Sequence, residues 1–391
     1  MTQTADVVIV GGGVTGASIA YHLVHRGVRK VVVVEKRFLA SGATGKSSAC
    51  VRQHYSTAET CRMVLQSLRF FETFSERTGG RSASFVRVGY LLGVDVRLRE
   101  PMERAVALQR SVGIETRVLT PKEIHDIEPR VRVDDFVAGC YEPEAGYADP
   151  AGTTQGLAGA ARDGGARILE DTEVLGITTA GGRVTGVRTS RGEIAAPVVV
   201  NAAGIWGDRV GRMVGVDVPI SVCRHKISFF TRPTEAASPH PLVYDLVQNI
   251  YTRPETGGLT LVGSLESELG DQADPDRYNE GVTFEETADA MERAVHRFPV
   301  MEQGQVAKGW AGCFDVSPDW HPILDESPVP GFCVAVGFSG HGFKLSPAVG
   351  DMMARLIVDG KTPGDDIHAF RLSRFAEGRP IRGTYGDSLM S

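Results

Sequence analysis

Apolar positions follow two rhythms along this chain. Short unbroken runs, Val7-Val8-Ile9-Val10, Val31-Val32-Val33-Val34, Val198-Val199-Val200 and Phe332-Cys333-Val334-Ala335-Val336, have the form of strands buried on both faces. Between them lie stretches of helical periodicity: Val14 to Arg26, about Thr57 to Thr78, Pro101 to Val112, Pro150 to about Asp163, 284–297, and a last helix from Pro347 to about Asp359. Thr120 and Asp149 sit where helix caps belong, each just before a proline that suits the first helical turn. Strand-like patterns also occupy Val86 to Val94, Ala166 to Thr179, Arg183 to Ser190, Val222–Phe230, Asn249–Thr252 and Leu259–Val262. The order of the buried runs predicts an α/β fold with a Rossmann-like unit first. Residues 217–310 change character, being rich in strands and lacking any second glycine signature, and predict a separate α+β part built on a mixed sheet.

The junction of the first strand and helix reads Gly11-Gly12-Gly13-Val14-Thr15-Gly16, and the second strand ends on Glu35, 19 positions beyond Gly16. Strand, glycine turn, helix, strand and acid, in that order, form the dinucleotide fingerprint in its proper context. Gly11 makes the turn, Gly13 admits a pyrophosphate to the backbone, and Gly16 lets helix and strand pack closely. The helix N-terminus then offers unpaired N–H groups to phosphate, and Glu35 can accept from ribose hydroxyls. The position of the motif at the N-terminus favours FAD over NAD(P). Small-residue stretches, Ser41 to Ser48 and Asn201 to Trp206, suit backbone passing close to a ligand.

Composition narrows the classes. A net charge of −6 and the lack of a Lys/Arg block leave no surface for nucleic acid. No apolar run reaches membrane-spanning length, and the chain enters its first strand without a secretory leader, so a cytoplasmic protein is expected. Six cysteines without a C-x-x-C pair predict buried or free thiols, and no histidine spacing predicts a metal site.

Taken together, Gly11/Gly13/Gly16 with Glu35, Thr44-Gly45, Asn201 to Trp206, Tyr251 to Glu255 with Gly257-Gly258, Ser317-Pro318-Asp319 and Gly337 to Lys344 resemble the D-amino-acid oxidase superfamily. The resemblance covers nearly the whole chain and is nearest the sarcosine-oxidase-like and dimethylglycine-oxidase-like enzymes. It implies an FAD-binding domain from residues 1–85, 145–216 and 315–391, and a substrate-binding domain from 86–144 and 217–314. It implies FAD contacts from Gly11, Gly13, Val14, Thr15, Gly16, Glu35, Lys36, Thr44, Gly45, Lys46, Ser47, Ala203, Gly204, Trp206, Gly340, His341, Gly342, Phe343 and Lys344. The implied catalytic residues are Arg52 and Lys344, which would bind a substrate carboxylate, and His225 and Tyr251 near the amine. His54 is expected to be a loop residue facing solvent, and His321 to support its own loop.

Two departures sharpen the expectation. Sarcosine oxidases of the single-chain type attach FAD through a cysteine seven positions before the motif aspartate; here that position is Gly312, so non-covalent FAD is expected, with Cys313 a small core residue. Those oxidases also carry a lysine above the flavin, where Thr260 aligns here, which turns the expectation toward a dehydrogenase. The expected reaction is oxidation of the C–N bond of a small N-alkyl or cyclic amino acid to an imine, by hydride transfer to flavin N5, with oxygen or another electron acceptor closing the cycle. The alternatives are the flavin subunit of a multi-subunit amine or proline dehydrogenase that passes electrons to a partner, and an FAD monooxygenase.

Overall fold

The computed structural model of the chain describes residues 3–266, 268–360, 364, 366–386 and 390. The buried apolar runs assemble into a six-stranded sheet. In spatial order it reads Arg167–Leu169, Val31–Val34, Val7–Val10, Val198–Asn201, Phe332–Val336 and Ile323–Glu326. All neighbours are parallel except the last pair. The two strands of the fingerprint are buried at every position because both faces of the sheet are covered. Helices Val14–His25, Ala58–Glu72, Pro150–Asp163 and Gly342–Asp359 pack on one face. A four-stranded sheet, Gln3–Thr4, Gly192–Ala195, Arg183–Thr189 and Val174–Ala180, covers the other.

The second sheet has eight strands in the order Val306–Val316, Ser221–Thr231, Leu259–Ser264, Ile250–Glu255, Leu242–Asp245, Tyr90–Val94, Ala138–Glu142 and Arg117–Leu119. It is mixed, with Tyr90–Val94 and Leu242–Asp245 parallel and the other pairs antiparallel. Alternation along its strands splits the side chains between two cores. Ile227, Tyr244, Tyr251 and Leu261 share one face, whereas Phe230, Val243, Ile250 and Val262 lie on the other beneath helix Phe284–Arg297. The α/β class with a mixed second sheet is the fold observed.

Several expected boundaries move for local reasons. The helix expected from Thr57 to Thr78 breaks at Thr73, whose hydroxyl donates to the Arg69 carbonyl at 2.8 Å, into Ala58–Glu72 and Phe74–Arg77. The stretch from Val86 to Val94 divides at Gly89, whose φ is +79°, so Val86–Arg87 and Tyr90–Val94 enter different sheets. Ala166 to Thr179 likewise divides around Asp171, at φ +48°, between the six- and four-stranded sheets. The last helix starts at Gly342 rather than Pro347, which therefore sits inside it. Pro347 has no N–H for the Phe343 carbonyl, and the Ser346 hydroxyl donates to that oxygen instead, at 2.8 Å. The six cysteines are buried free thiols.

Candidate active site

One cavity runs between the two sheets, with about 1790 Å³ of empty space counting its solvent-open mouth. Its first wall is the glycine turn. Gly11 has a φ of +112°, and a Cβ on Gly16 would stand 2.0 Å from the Gly11 carbonyl oxygen, so this turn and this helix approach require glycine. Gly13 caps the helix without a side-chain bond, and Gly13, Val14 and Thr15 line the cavity. Glu35 is buried at the end of the second strand. Its Oε2 accepts from the Gly12 N–H at 2.7 Å and its Oε1 from the Arg37 N–H at 2.9 Å. Thr44 turns its hydroxyl to the Val14 N–H at 3.2 Å. An amide-lined turn at a helix N-terminus, flanked by a buried carboxylate, fits an extended dinucleotide cofactor.

Farther along the cavity two buried cations face the same space. Arg52, 1% exposed, follows the short strand Cys50–Val51, and Lys344, 6% exposed, lies in the first turn of the last helix. Arg52 donates through Nη1 to the His54 carbonyl, and its guanidinium lies 4.7 Å from the Tyr55 ring centre and 5.4 Å from that of Tyr244. Burial, with the charge of Arg52, brings the Lys344 ammonium down to about 7. No carboxylate pairs with Lys344 among the described residues. Glu142 is fully buried beneath the Arg52 loop, accepts from the Gln53 N–H at 2.7 Å, and is pushed up to about 8 by burial, against the pull of Gln53 and Arg52.

An aromatic wall stands opposite. His225 Nε2 and the Tyr251 hydroxyl are hydrogen-bonded at 3.0 Å, and the two ring planes are nearly parallel, at 5°. Phe314 stacks on His225 at 4.4 Å and Tyr244 on Tyr251 at 5.2 Å. Tyr251 lies across its cross-strand partner Gly263, where a Cβ would meet the ring at 2.3 Å. Asp315 also borders the cavity; its carboxylate accepts from the Gly337 N–H at 2.7 Å and is raised by burial to about 6.

The fold therefore brings Arg52, Lys344, His225 and Tyr251 to one cavity, together with the glycine turn, Glu35, Lys36, Thr44, Lys46, Ser47, Ala203, Gly204, Trp206, Gly340, Gly342 and Phe343. Gly16, Gly45 and His341 stand behind this wall rather than in it. Gly16 packs on Gly11, Gly45 on the Ala40 carbonyl, and the His341 ring bonds the Tyr55 hydroxyl at 3.1 Å.

Two other expectations change. His54 is not at the surface but fully buried, with Nε2 2.7 Å from the Tyr385 hydroxyl and Nδ1 3.1 Å from the Gln109 amide nitrogen; burial and Arg52 lower it to about 3. Thr260 points to the far side of its strand, where its hydroxyl meets His240 at 3.0 Å, so alternation removes it from the cavity. The residues on the near side, Leu259, Leu261 and Gly263, are uncharged as well. Cys313 is buried, as expected of a core residue, yet borders the cavity beside Gly312. Sequence reasoning missed Tyr244, Phe314, Glu142 and Asp315. All four lie in strands whose apolar pattern is too short or too interrupted by glycine to stand out, and no residue motif marks them.

Comparison with known proteins adds an independent line. A family model described as DAO, FAD dependent oxidoreductase, matches residues 6–356. The chain is 31% identical over 385 residues to mitochondrial sarcosine dehydrogenase of Homo sapiens, covering 96% of this chain and 42% of that protein, so it spans less than half of this relative's length. It is 28% identical over 400 residues to sarcosine oxidase subunit beta of Arthrobacter sp, covering 97% of this chain and 93% of that one. Among solved structures, L-proline dehydrogenase from P. horikoshii is similar with a TM-score of 0.89 at 29% identity, covering 97% of this chain and 100% of that one.

Proposed function

Because this chain belongs to the DAO family of FAD-dependent oxidoreductases, we propose that it oxidises the C–N bond of a small N-alkyl or cyclic amino acid. The observation that carries this reading is the pair of buried cations, Arg52 and Lys344, facing one cavity with no carboxylate paired to Lys344 among the described residues. Two like charges held in a low-dielectric site favour an incoming anion, and a substrate carboxylate supplies one. Arg52 offers a planar fork and Lys344 a point charge, which together orient a carboxylate. The amine then lies against the wall of Tyr244, Tyr251, His225 and Phe314, whose ring faces favour a substituted ammonium. His225, bonded to Tyr251, takes the proton of that ammonium and leaves the nitrogen lone pair available. Bound FAD supplies the two-electron acceptor, at N5, and the product is an imine that water hydrolyses. In this reading residues 1–85, 145–216 and 315–391 hold FAD non-covalently, and residues 86–144 and 217–314 roof the substrate.

The similarity to a sarcosine oxidase beta subunit over almost its whole length favours a second, compatible reading. Here the chain is the flavin-bearing subunit of a larger assembly that passes electrons to a partner. An anaerobic absorbance titration of the purified flavoprotein with sarcosine, dimethylglycine, proline, hydroxyproline and D-amino acids tests the function. Bleaching of the flavin band by one of the N-alkyl or cyclic amino acids is the expected result. Slow return of the band in air, with fast return on adding a dye acceptor, would support the partner-linked form. A band that none of these amines bleaches would overturn the assignment.

A further inference from the structure

The stretch of chain between Gly270 and Val282, which joins strand Leu259–Ser264 to helix Phe284–Arg297, has no helix and a single isolated bridge, Cys223 with Gln272. Acidic side chains from this stretch nonetheless cross to the opposite wall of the cavity. Asp276 reaches residues of the glycine-turn half. Its Oδ1 accepts from the Lys36 ammonium at 3.1 Å and from the Trp206 indole N–H at 2.8 Å, and its Oδ2 accepts from the Arg209 guanidinium. Lys36 lies 3.6 Å from the Trp206 ring centre, and Arg209 reaches on to Asp274 at 3.0 Å. Lys36, Trp206, Arg209 and Asp276 all line the cavity, at the end marked by Glu35. The stretch is pinned elsewhere too: Lys46 meets the Tyr278 hydroxyl at 2.6 Å and Glu280 at 3.0 Å, Arg224 donates to the carbonyls of Asn279 and Gly281, and backbone bonds tie Asp271, Ala273 and Glu280 to the neighbouring strands.

We propose that residues 271–281 form an ionic clasp over the adenosine end of FAD, and that Asp276 is the retention residue through which the substrate-side half of the chain holds the cofactor. The proposal rests on the cofactor reading above. Its physical content is that FAD leaves only after one carboxylate has released an ammonium, an indole and a guanidinium belonging to the other half. Asp276, Lys36 and Arg209 are all partly exposed, so the tie draws its strength from three donors converging on one carboxylate and is reached by salt. Asp276 also neutralises Lys36 and Arg209 beside Glu35, so this end of the cavity offers little attraction to a nucleotide carrying an extra phosphate.

The test is the rate at which holoenzyme, diluted into FAD-free buffer, releases FAD, followed by the rise of free-flavin fluorescence. Asp276→Asn is expected to release FAD about tenfold faster than the unmodified protein at about 0.05 M salt. Raising salt to about 0.5 M should speed the unmodified protein toward the rate of the variant while changing the variant much less. Arg209→Gln, which keeps the carboxylate and removes one of its charged partners, should behave likewise. Release from both variants within about threefold of the unmodified protein would overturn the clasp. Protein that holds no FAD in any form would overturn the cofactor reading itself, a result distinct from FAD held equally well by all three.

Discussion

At Lys344 burial and one neighbour decide the chemistry. Burial and the Arg52 guanidinium both disfavour its charge, which is why the ammonium titrates at about 7 rather than far above neutrality. A lysine whose pKa is lowered in this way is charged below that value and neutral above it. Binding of an inert carboxylate such as acetate to the FAD-loaded protein, read from the flavin spectrum, should therefore be strongest below about pH 7 and fall as pH rises. Glu142, neutral below about 8, adds to the fall above that value by placing an anion near Arg52. Lys344→Met should weaken acetate binding by about 100-fold at pH 6 and remove the step near neutrality. The family resemblance paired Arg52 and Lys344 as a carboxylate clamp, and only Lys344, inside a glycine-dense turn, also stood out by its local setting. Local pattern alone could not pair them, because they lie nearly three hundred residues apart.

Individual elements show how register controls the site. Tyr251 keeps its ring flat beneath Tyr244 and within reach of His225 because its antiparallel partner is Gly263. Gly263→Ala would drive a methyl group into that ring, so substrate affinity should fall by about tenfold while FAD release stays unchanged. The two effects separate in a substrate titration paired with the dilution assay. Register also explains why Thr260 lies on the far side of its strand: a step of one residue moves a side chain from one face of a sheet to the other. The helix N-termini were more legible. Thr120 and Asp149 cap helices as expected, since a cap is a local event between residues three apart. Replacing Asp149 by alanine should cost about 1 kcal/mol of stability, measured by denaturant unfolding.

Across the molecule, the last segment of the chain ties back to the motif Ser317-Pro318-Asp319. Asp319 and Arg374 form a buried two-pronged pair, with both bonds at 2.8 Å, and the Ile381 N–H donates to the same carboxylate at 2.9 Å. The motif thus anchors the path that brings Tyr385 against His54 and, through the His54 carbonyl, supports Arg52. Burial works to raise the Asp319 carboxyl, yet Arg374 outweighs it and holds the group below the usual carboxylate range. An acid depressed in this way contributes stability above its unfolded pKa, and the contribution is lost as pH falls through the folded value. Arg374→Ala, which leaves Asp319 buried without its partner, should cost about 3–5 kcal/mol in denaturant unfolding, with a shallower acid limb than the unmodified protein.

The primary structure alone was enough to specify the glycine turn, its two flanking strands, Glu35 and most of the helices, because steric demands and hydrophobic periods act between near neighbours. Which residues share the cavity was not a matter of local pattern: only the family resemblance grouped Arg52, Lys344, His225 and Tyr251, and nothing marked Tyr244, Phe314 or Asp315. The strands carrying Tyr244, Phe314 and Asp315 have weak patterns of their own and are held in place by partners far away in the chain. Burial, too, was decided only by packing. It made His54 neutral and brought Lys344 toward neutrality, since the cost of a charge depends on the atoms around it in space rather than on its neighbours in sequence.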